Sequence, residues 1–483
     1  MIIKLKNKKL FKTKCYINGK WQNSLKTINV QDPFTLKTIA KVPDMGKKEI
    51  LYTIESALKA QIIWTNKTAN ERSIILQKWF NLIMLNQDDL ALILTLEQGK
   101  PILESKGEIA YGASYIKWFS EEATRIYGDI IPALNINQKI LITKQAIGVC
   151  AAITPWNFPN AMITRKVAPA LAAGCSIIVK PASQTPLSAF ALAYLAGEAG
   201  IPDGVFNVIT GDAEIIGKIL TQDDRIKKFS FTGSTIIGRK LMSQCSSTIK
   251  KISMELGGNA PFIVFDDADI DHVIKGAMES KFRNSGQTCV CANRFYVHKN
   301  IYDNFINKLI KQVKQLKIGN PFEENTNIGP LIDDNAIKKM QSYIEDCLNK
   351  GAFLAYGGKI SSAGKRFFEP TIIKNVNSTM KISQEEIFGP IVAIFQFSEE
   401  KEVIKYANDT IFGLASYIYT KDLIRAIRLY EKLEYAMISI NSGILSNSSA
   451  PFGGIKQSGI GREGSKYGID EYLEIKYILL SNL

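Results

Sequence analysis

Residues 282–291, FRNSGQTCVC, carry the side chains best suited to covalent chemistry in this sequence. Cys289 follows a polar Gly-Gln-Thr segment, Cys291 comes shortly after it, and Arg283 precedes both. A cysteine that acts as a nucleophile must reach its thiolate form and be open to a ligand. The chain has only 2 histidines, so a Cys/His pair has few ways to form. We therefore expect groups other than histidine to activate Cys289.

The middle of the chain indicates which elements would position such a site, because short β-rich runs alternate there with helical stretches. Strands are predicted at 147–153, 176–180, 205–209, 228–231 and 252–256, and helices at 161–173, 187–199, 213–220 and 235–245. Strands that alternate with helices of this length imply a parallel sheet with crossover helices. Doubly wound sheets of this kind bind their ligands beyond the carboxyl ends of the strands.

Polar and glycine-rich residues follow four of the predicted strands. They are TPWN at 154–157, KPAS at 180–183, TGS at 232–234 and ELGG at 255–258. Each stretch alone is more typical of a turn than of a site. Because all four fall at the edge where a doubly wound sheet binds its ligand, we expect them to line one site.

Two glycine-rich stretches are candidates for phosphate binding. Residues 459–464, GIGREG, match the dinucleotide fingerprint as a string, but no βαβ unit surrounds them, so we interpret them as a glycine-rich turn. Residues 233–238, GSTIIG, follow a predicted strand and start a helix, so their free backbone N–H groups can face a phosphate. The second stretch is the better candidate.

A second α/β unit follows the first along the chain. Its strands are predicted at 261–265, 391–397 and 437–441, and its helices at 301–316 and 336–349. Two further segments differ, because residues 126–144 have the pattern of a hairpin and the alternation in 471–480 suits an edge strand. An unpaired edge invites pairing with another chain, so we expect a homodimer or homotetramer.

Composition and charge exclude several classes of protein. The chain has 483 residues, 46% hydrophobic and 22% charged, and a net charge of +14 that is spread along its length, so we expect no nucleic-acid partner. Its 7 cysteines are irregularly spaced, which predicts neither a disulfide framework nor a metal site. No apolar run suggests a signal peptide or a membrane helix, so we expect no membrane partner and a cytoplasmic protein.

Six short motifs occur in a fixed order along the chain. They are PWNFP at 155–159, FTGS at 231–234, MELGG at 254–258, GQTC at 286–289, EIFGP at 386–390 and PFGG at 451–454. Together they resemble the aldehyde dehydrogenase superfamily, over almost the whole chain from about residue 12. Three further stretches, ITRK at 163–166, KFRN at 281–284 and GSKYG at 464–468, resemble its NADP-dependent succinate-semialdehyde dehydrogenases.

The resemblance implies an α/β fold with three parts. A Rossmann-type, doubly wound cofactor-binding domain is expected at 1–125 and 146–257, and a second α/β catalytic domain at 258–457. A small β oligomerisation arm is expected at 126–145 and 468–483. The implied activity is oxidation of succinate semialdehyde, with glutarate semialdehyde or a broader range of aldehydes left open.

The resemblance also implies roles for three catalytic residues. Cys289 corresponds to the nucleophile, Asn157 to a donor that stabilises the oxyanion, and Glu255 to the base that activates water. A catalytically silent binding protein on the same fold would be free to lose these three residues. All three are present, which favours an enzyme.

Cofactor and substrate contacts follow from the same resemblance. The implied cofactor contacts are Thr154, Pro155, Trp156, Lys180, Ala182, Ser183, Gly233, Ser234, Gly238, Leu256, Glu386 and Phe388. Ser183 lies where many NAD-dependent members have a glutamate, which would repel a 2′-phosphate, so NADP is favoured and NAD stays open. Arg165, Arg283 and Ser446 correspond to the substrate-binding residues of the subgroup. Cys291 could oxidise with Cys289 as a redox switch or be a free packing cysteine.

Overall fold

The computed structural model describes residues 4–482, and strands and helices alternate along most of this range. The strands are β1 (Cys15–Ile17), β2 (Lys20–Gln22), β3 (Thr27–Gln31), β4 (Thr38–Pro43), β5 (Asp129–Ile131), β6 (Gln138–Ala146), β7 (Cys150–Ile153), β8 (Ile177–Lys180), β9 (Phe206–Val208), β10 (Lys228–Thr232), β11 (Lys251–Glu255), β12 (Ala260–Val264), β13 (Ala292–His298), β14 (Phe353–Tyr356), β15 (Thr371–Lys374), β16 (Ile391–Phe397), β17 (Phe412–Gly413), β18 (Ala415–Tyr419), β19 (Met437–Ile440), β20 (Ile455–Lys456), β21 (Gly459–Ile460) and β22 (Leu473–Ser481).

The α-helices fall between these strands and before β5. They are α1 (Lys47–Thr65), α2 (Ala69–Leu85), α3 (Gln87–Gln98), α4 (Ile102–Glu122), α5 (Ala161–Ala173), α6 (Leu187–Ala199), α7 (Ala213–Gln222), α8 (Thr235–Cys245), α9 (Ile270–Phe282), α10 (Tyr302–Val313), α11 (Asp334–Asn349), α12 (Lys381–Gln384), α13 (Glu400–Asn408), α14 (Leu423–Lys432) and α15 (Ser465–Asp470). The predicted alternation of strands and helices, and with it the α/β fold class, is confirmed.

The first sheet is doubly wound, as the sequence predicts. Its strand order is β2-β1-β9-β8-β7-β10-β11-β21, and the five strands from β9 to β11 run parallel. The chain passes outwards from β7 to β8 and β9, and then returns to the other side of β7 for β10 and β11. The order of the strands therefore reverses between β7 and β10, and a crevice for a ligand forms at such a switch point.

The second sheet is also mainly parallel. Its order is β14-β15-β16-β13-β12-β18-β19, with β14 alone running antiparallel to its neighbour. Buried side chains pack on both of its faces as two separate clusters, while a larger cluster fills the first sheet and its helices. Strands buried on both faces read as apolar runs, as IIVK in β8 and APFIV in β12 illustrate.

The helical layer before β5 contains a sharp turn between α3 and α4. Gly99 has a φ of 90°, and a Cβ at this position would lie 2.8 Å from Cγ of Pro330. Glu97, two residues before Gly99, is fully buried. Its carboxylate accepts hydrogen bonds from the backbone N–H groups of Leu187 (2.6 Å) and Ser188 (2.8 Å), which start α6. Burial raises the pKa of Glu97 to about 8. These contacts fix the end of α3 against the start of α6.

A third, smaller sheet has the order β22-β6-β5 and is antiparallel throughout. It contains the predicted hairpin and the predicted terminal edge strand. The segment at 459–464 differs from the expected turn, because β21 pairs antiparallel with the end of β11 and extends the first sheet. None of the helices formed by residues 4–482 combines the length and the apolar character that a membrane crossing needs.

Candidate active site

Two cavities meet at Cys289. The strand-end cavity, about 330 Å³, lies beside the switch point of the first sheet, and its lining residues are Pro155, Trp156, Asn157, Met162, Thr232, Gly233, Ser234, Glu255, Leu256, Gly257, Cys289, Ile332, Asp333, Asn335, Ala336, Lys339, Glu386 and Phe388. The arginine cavity, about 250 Å³, is lined by Glu104, Gly107, Glu108, Tyr111, Phe158, Met162, Arg165, Arg283, Thr288, Cys289, Val290, Ile444, Ser446 and Phe452. Met162 and Cys289 are common to both linings.

The strand-end cavity brings together three of the four polar stretches that follow strands of the first sheet. Trp156 comes after β7, Ser234 after β10 and Leu256 after β11. The loop before β16 closes the opposite side, where Glu386 accepts the backbone N–H of Gly258 at 3.0 Å. Burial raises the pKa of Glu386 to about 7. A second carboxylate oxygen of Glu386 is left for a ligand.

The fourth stretch, KPAS, lies outside the lining of this cavity but next to it. Lys180 ends β8, is 3% exposed and has no hydrogen-bond acceptor among residues 4–482. Burial lowers the pKa of Lys180 to about 8. Thr154, whose N–H donates to the carbonyl of Lys180 at 3.1 Å, has a buried hydroxyl that finds no partner in the described part of the chain. Ala182 and Ser183 are half-buried.

These free polar groups fit a phosphorylated dinucleotide. A buried ammonium and a buried hydroxyl without protein partners need a ligand that carries acceptors, and ribose hydroxyls and phosphate oxygens supply them. Packing between elements, without any ligand, accounts for the glycine at position 238. A Cβ there would lie 2.4 Å from Leu256 and would push α8 away from β11. Its predicted cofactor contact stays a prediction.

The loop that carries Cys289 has an unusual backbone. Asn284 (φ 51°), Ser285 (φ 55°) and Gly286 (φ 78°) are three consecutive residues in the left-handed region. Side chains hold this conformation, because Ser285 donates to the carbonyl of Gly329 at 3.0 Å and Gln287 accepts the N–H of Ile332 at 3.0 Å. Strained loops of this kind persist only where the surrounding structure determines them, and they cluster at functional sites.

Cys289 is half-buried, whereas the other six cysteines are buried. Burial raises the pKa of the Cys289 thiol to about 12, and the nearby charge of Arg165 opposes the shift. The side chain therefore rests as a thiol at neutral pH. Neither histidine lines either cavity, in agreement with the expectation that other groups activate this residue.

Asn157 follows β7 and lies against the loop that carries Cys289, residues 283–291, which we call the nucleophile loop. Its side-chain amide donates to the carbonyl of Gln287 at 3.1 Å, and the residue is 5% exposed. An amide group has two N–H donors, so one donor is left to point into the strand-end cavity. Its position beside Cys289 is suited to stabilising negative charge on an oxygen bound there.

Glu255 ends β11 and is 4% exposed. Neither of its carboxylate oxygens has a hydrogen-bond partner among residues 4–482. Burial, together with the neighbouring Glu463, raises the pKa of Glu255 well above its ordinary value. Burial alone would raise the pKa of Glu463 as well, but Lys166 and Arg165 lower it below the ordinary range. One of these two neighbouring acids is thus held neutral and the other charged.

The two predicted substrate-binding arginines differ in their partners. Arg165, on α5, is 1% exposed, and its Nη2 lies 2.7 Å from the Glu463 carboxylate. Arg283 is half-buried beside the ring of Phe158, 5.4 Å from its centroid, and no carboxylate of residues 4–482 lies within 4 Å of it. Of the two, only Arg283 is free of an ion pair and can offer its guanidinium to a ligand. Ser446 lines the same cavity.

Cys291 is 1% exposed and its thiol lies 3.6 Å from the carbonyl of Lys281. Burial raises the pKa of Cys291, and the amine of Lys281, also fully buried, opposes the shift. The predicted redox pairing of Cys291 with Cys289 stays a prediction.

Several lining residues were not predicted from the sequence. Those of α4, such as Glu104 and Tyr111, and those near α11, such as Lys339, lie far from the motifs along the chain. The sequence carries no local signal for them, since their helical patterns are those of ordinary amphipathic helices. Residues 4–482 also contain no group of three or more His, Cys, Asp or Glu side chains able to hold a metal ion.

The fold and the site together define a class of protein: a dinucleotide-binding α/β enzyme whose ligand crevice opens onto a cysteine. A model of the aldehyde dehydrogenase family matches residues 21–478. The chain is 55% identical to an Escherichia coli succinate-semialdehyde dehydrogenase [NADP(+)], over 99% of this chain and 100% of the relative. It is 56% identical to a Pseudomonas putida glutarate-semialdehyde dehydrogenase, with the same coverage.

A solved structure agrees with these sequence matches. The crystal structure of succinate-semialdehyde dehydrogenase from Burkholderia pseudomallei superimposes with a TM-score of 0.98, at 53% identity, over 99% of each chain. The chain therefore belongs to the aldehyde dehydrogenase family.

Proposed function

We propose that this protein oxidises succinate semialdehyde to succinate with NADP. One observation carries the choice of substrate: the unpaired guanidinium of Arg283 shares a cavity with Cys289. A guanidinium binds a carboxylate in a two-pronged geometry, so an aldehyde with a carboxylate at its other end would reach both groups. The names of the relatives from Escherichia coli and Burkholderia pseudomallei support the same substrate.

The first chemical step would form a bond between the Cys289 sulfur and the aldehyde carbon. The thiol would first release its proton to solvent, and the thiolate would then attack the aldehyde carbon while the carbonyl oxygen takes up the negative charge of the thiohemiacetal. The side-chain amide of Asn157 and the backbone N–H of Cys289 would donate hydrogen bonds to that oxygen. Removing one donor of this kind typically costs about 10²–10³ in rate.

Bound NADP would supply the acceptor for the hydride that leaves the aldehyde carbon. Pro155, Trp156, Gly233, Ser234, Leu256, Glu386 and Phe388 line the cavity that would hold its nicotinamide end. Lys180, Ser183 and the hydroxyl of Thr154 would hold the adenine ribose and its phosphate. A serine in place of a glutamate avoids repulsion of the 2′-phosphate, which supports NADP over NAD.

The second step would release the acid from the Cys289 thioester. Glu255, which rests neutral, would first lose its proton to solvent. The carboxylate would then take a proton from a water molecule, whose oxygen attacks the thioester carbon and releases the sulfur as the Cys289 thiolate. A carboxylate with a raised pKa is a stronger base than an ordinary glutamate, so its burial suits this role. Product release would leave Arg283 free for the next substrate.

The proposal is tested by comparing kcat/KM for succinate semialdehyde, glutarate semialdehyde and butanal, each with NADP and with NAD. We expect succinate semialdehyde with NADP to be preferred. Arg283→Ala should lower kcat/KM for the semialdehydes roughly 10- to 150-fold, the value of a charge-assisted hydrogen bond of about 1.5–3 kcal/mol, and leave butanal almost unchanged.

A matched control is Arg125→Ala, which removes a half-exposed arginine that is ion-paired with Glu122 at 2.8 Å. This variant should leave kcat/KM unchanged for all three substrates with either cofactor. Equal losses for butanal and the semialdehydes in Arg283→Ala would reject Arg283 as the carboxylate receptor, and a preference for NAD would reject the cofactor assignment.

Glutarate semialdehyde is the second candidate substrate, supported by the name of the Pseudomonas putida relative. It is one methylene longer, a difference worth about 1–3 kcal/mol in a pocket, so the same rates separate the two. We also propose that the protein forms a homodimer or homotetramer through the β22 sheet, and that it works in the cytoplasm. The second proposal is supported by its seven free thiols.

A further inference from the structure

A buried ion pair lies next to the site without touching a reacting atom. Lys100, in the α3–α4 turn, is 1% exposed, and its Nζ lies 2.5 Å from Glu108 of α4. Burying two charges is costly, and such a pair is often replaceable by apolar side chains with no loss of stability. Stability is therefore a weak explanation for this pair, and its other contacts are more informative.

Both members of the pair hold the segment that contains Asn157. Lys100 Nζ donates to the backbone carbonyl of Asn157 at 2.7 Å and lies 3.7 Å from the ring centroid of Phe158. Glu108 accepts the backbone N–H groups of Asn160 (2.9 Å) and Ala161 (3.2 Å) at the start of α5. Lys100 therefore holds the start of the segment 157–161, and Glu108 holds its end.

Asn284 connects this segment to the nucleophile loop. Its side-chain amide donates to the carbonyl of Asn157 at 3.0 Å and to the carbonyl of Gln287 at 3.2 Å. Gln98 donates to the side-chain oxygen of Asn284 at 3.0 Å and accepts the N–H of Lys100 at 2.9 Å. One buried network therefore joins the α3–α4 turn, the loop after β7 and the loop before β13.

We propose that Lys100 and Asn284 are positioning residues for the two oxyanion donors, the side chain of Asn157 and the backbone N–H of Cys289. The inference rests on the proposed oxidation of an aldehyde. The two donors belong to loops of different sheets, so their separation is set only by contacts between the loops. The network binds the backbone carbonyls of Asn157 and Gln287, and it fixes that separation before an aldehyde arrives.

Two variants test the proposal. Asn284→Gly removes the bridging amide and keeps a backbone that tolerates a φ of 51°. The double variant Lys100→Met with Glu108→Gln removes both charges of the pair together and retains an acceptor for the N–H groups of α5. The control is Lys228→Met, at a fully buried lysine that starts β10, has its Nζ 3.3 Å from Glu471 and lines neither cavity.

Four quantities are measured for each protein: kcat, KM for succinate semialdehyde, the Kd for NADP, and the alkylation rate of Cys289 by iodoacetamide. Alkylation uses the same sulfur but builds no oxyanion. We expect kcat to fall about 10²-fold in both test variants, the size of a lost oxyanion donor. KM, Kd and the alkylation rate should each stay within about threefold of their wild-type values, which is small beside the loss expected in kcat. Lys228→Met should lower Tm without a comparable loss of kcat.

Three results would overturn the proposal in a wild-type protein that oxidises aldehydes. The first is a kcat within about threefold of wild type in both variants. The second is an alkylation rate that falls as far as kcat, which would mean that the whole loop is disordered. The third is an equal loss of kcat in Lys228→Met. Absence of oxidation in the wild-type protein is a separate outcome, which would reject the proposed function and this inference with it.

Discussion

Among single residues, the acid Glu104 stands out because it lines a cavity proposed to bind an anion. Its Oε2 accepts the backbone N–H of Asn284 at 2.6 Å, and it lies near Arg283. Burial raises the pKa of Glu104 to about 7, although the charges of Lys100 and Arg283 oppose the shift. The residue is therefore half-ionised near neutral pH and changes the charge of the cavity there.

A pH dependence follows from this charge. Below pH 7 Glu104 is neutral and Arg283 presents its full charge, whereas above pH 7 the carboxylate offsets it. We expect KM for succinate semialdehyde to rise between pH 6 and 8. Glu104→Gln, which keeps an acceptor for Asn284, should remove this rise and lower KM at pH 8. Butanal, which has no charge, serves as the control substrate. A KM for succinate semialdehyde with the same pH profile in wild type and variant would contradict the assignment.

The sequence predicts the residues of the site unevenly, and the reason is physical. Asn157, Glu255 and Cys289 belong to contiguous motifs in which backbone and side chain both serve the site. Lys100 and Glu104 act through contacts with residues 157 and 284, far along the chain, and no local pattern reports such contacts. The ion pair of Arg165 with Glu463 is also a contact between residues far apart along the chain. It distinguishes Arg165 from Arg283, although the sequence predicts the same role for both.

At the scale of elements, the nucleophile loop depends on one close backbone contact. Gly286 has a φ of 78°, and a Cβ there would lie 2.3 Å from the carbonyl oxygen of Gly389, next to Phe388. The loop that carries Cys289 and the loop that lines the strand-end cavity therefore touch through their backbones.

Gly286→Ala should force these two loops apart. We expect a loss of stability above the roughly 1–2 kcal/mol of a left-handed alanine, because the overlap adds to it, and a large fall in kcat. Unfolding in urea and steady-state kinetics measure the two effects. Gly351→Ala is the matched control, since Gly351 has a φ of 88° and open space around its Cβ position. An equal cost for both variants would show that the contact with Gly389 is unimportant.

The elements of the first sheet could be predicted because each strand and helix has a local pattern. Strands such as β8 are continuous apolar runs, and Asp212 and Asp269 mark the starts of α7 and α9. The two residues of β21 have no such pattern, since they are strand only through their pairing with β11. The rule that ligands bind at the carboxyl ends of strands predicts only part of the site. Cys289 precedes β13 and therefore lies at the amino end of that strand, where the rule predicts nothing.

At the scale of the whole molecule, the β22 sheet exposes an apolar surface. Ile475 (70% exposed), Tyr477 (59%) and Leu479 (45%) lie on one face of β22, and Ile131 of β5 (44%) shares this face through Ile140 of β6. Exposed apolar rows on an edge strand are suited to pairing with a second chain. This surface supports the proposed homo-oligomer.

Charges placed on this surface should separate the subunits. We expect Ile475→Asp with Tyr477→Asp to lower the mass measured by light scattering to that of one chain, with an unchanged circular dichroism spectrum. Lys476→Asp, on the opposite side of β22, is the control and should keep the wild-type mass. A wild-type protein that is already monomeric would contradict the proposal.

The two cavities share Cys289 and Met162, and each of the other lining residues belongs to one cavity only. A replacement at Arg283 or Ser446, which line the arginine cavity alone, therefore leaves the residues of the strand-end cavity unchanged. During evolution, one lineage could exchange its aldehyde for a longer or shorter one while it inherited the nucleotide side intact. Two relatives of about equal identity to this chain, named for semialdehydes that differ by one methylene, are the outcome that such independent inheritance predicts.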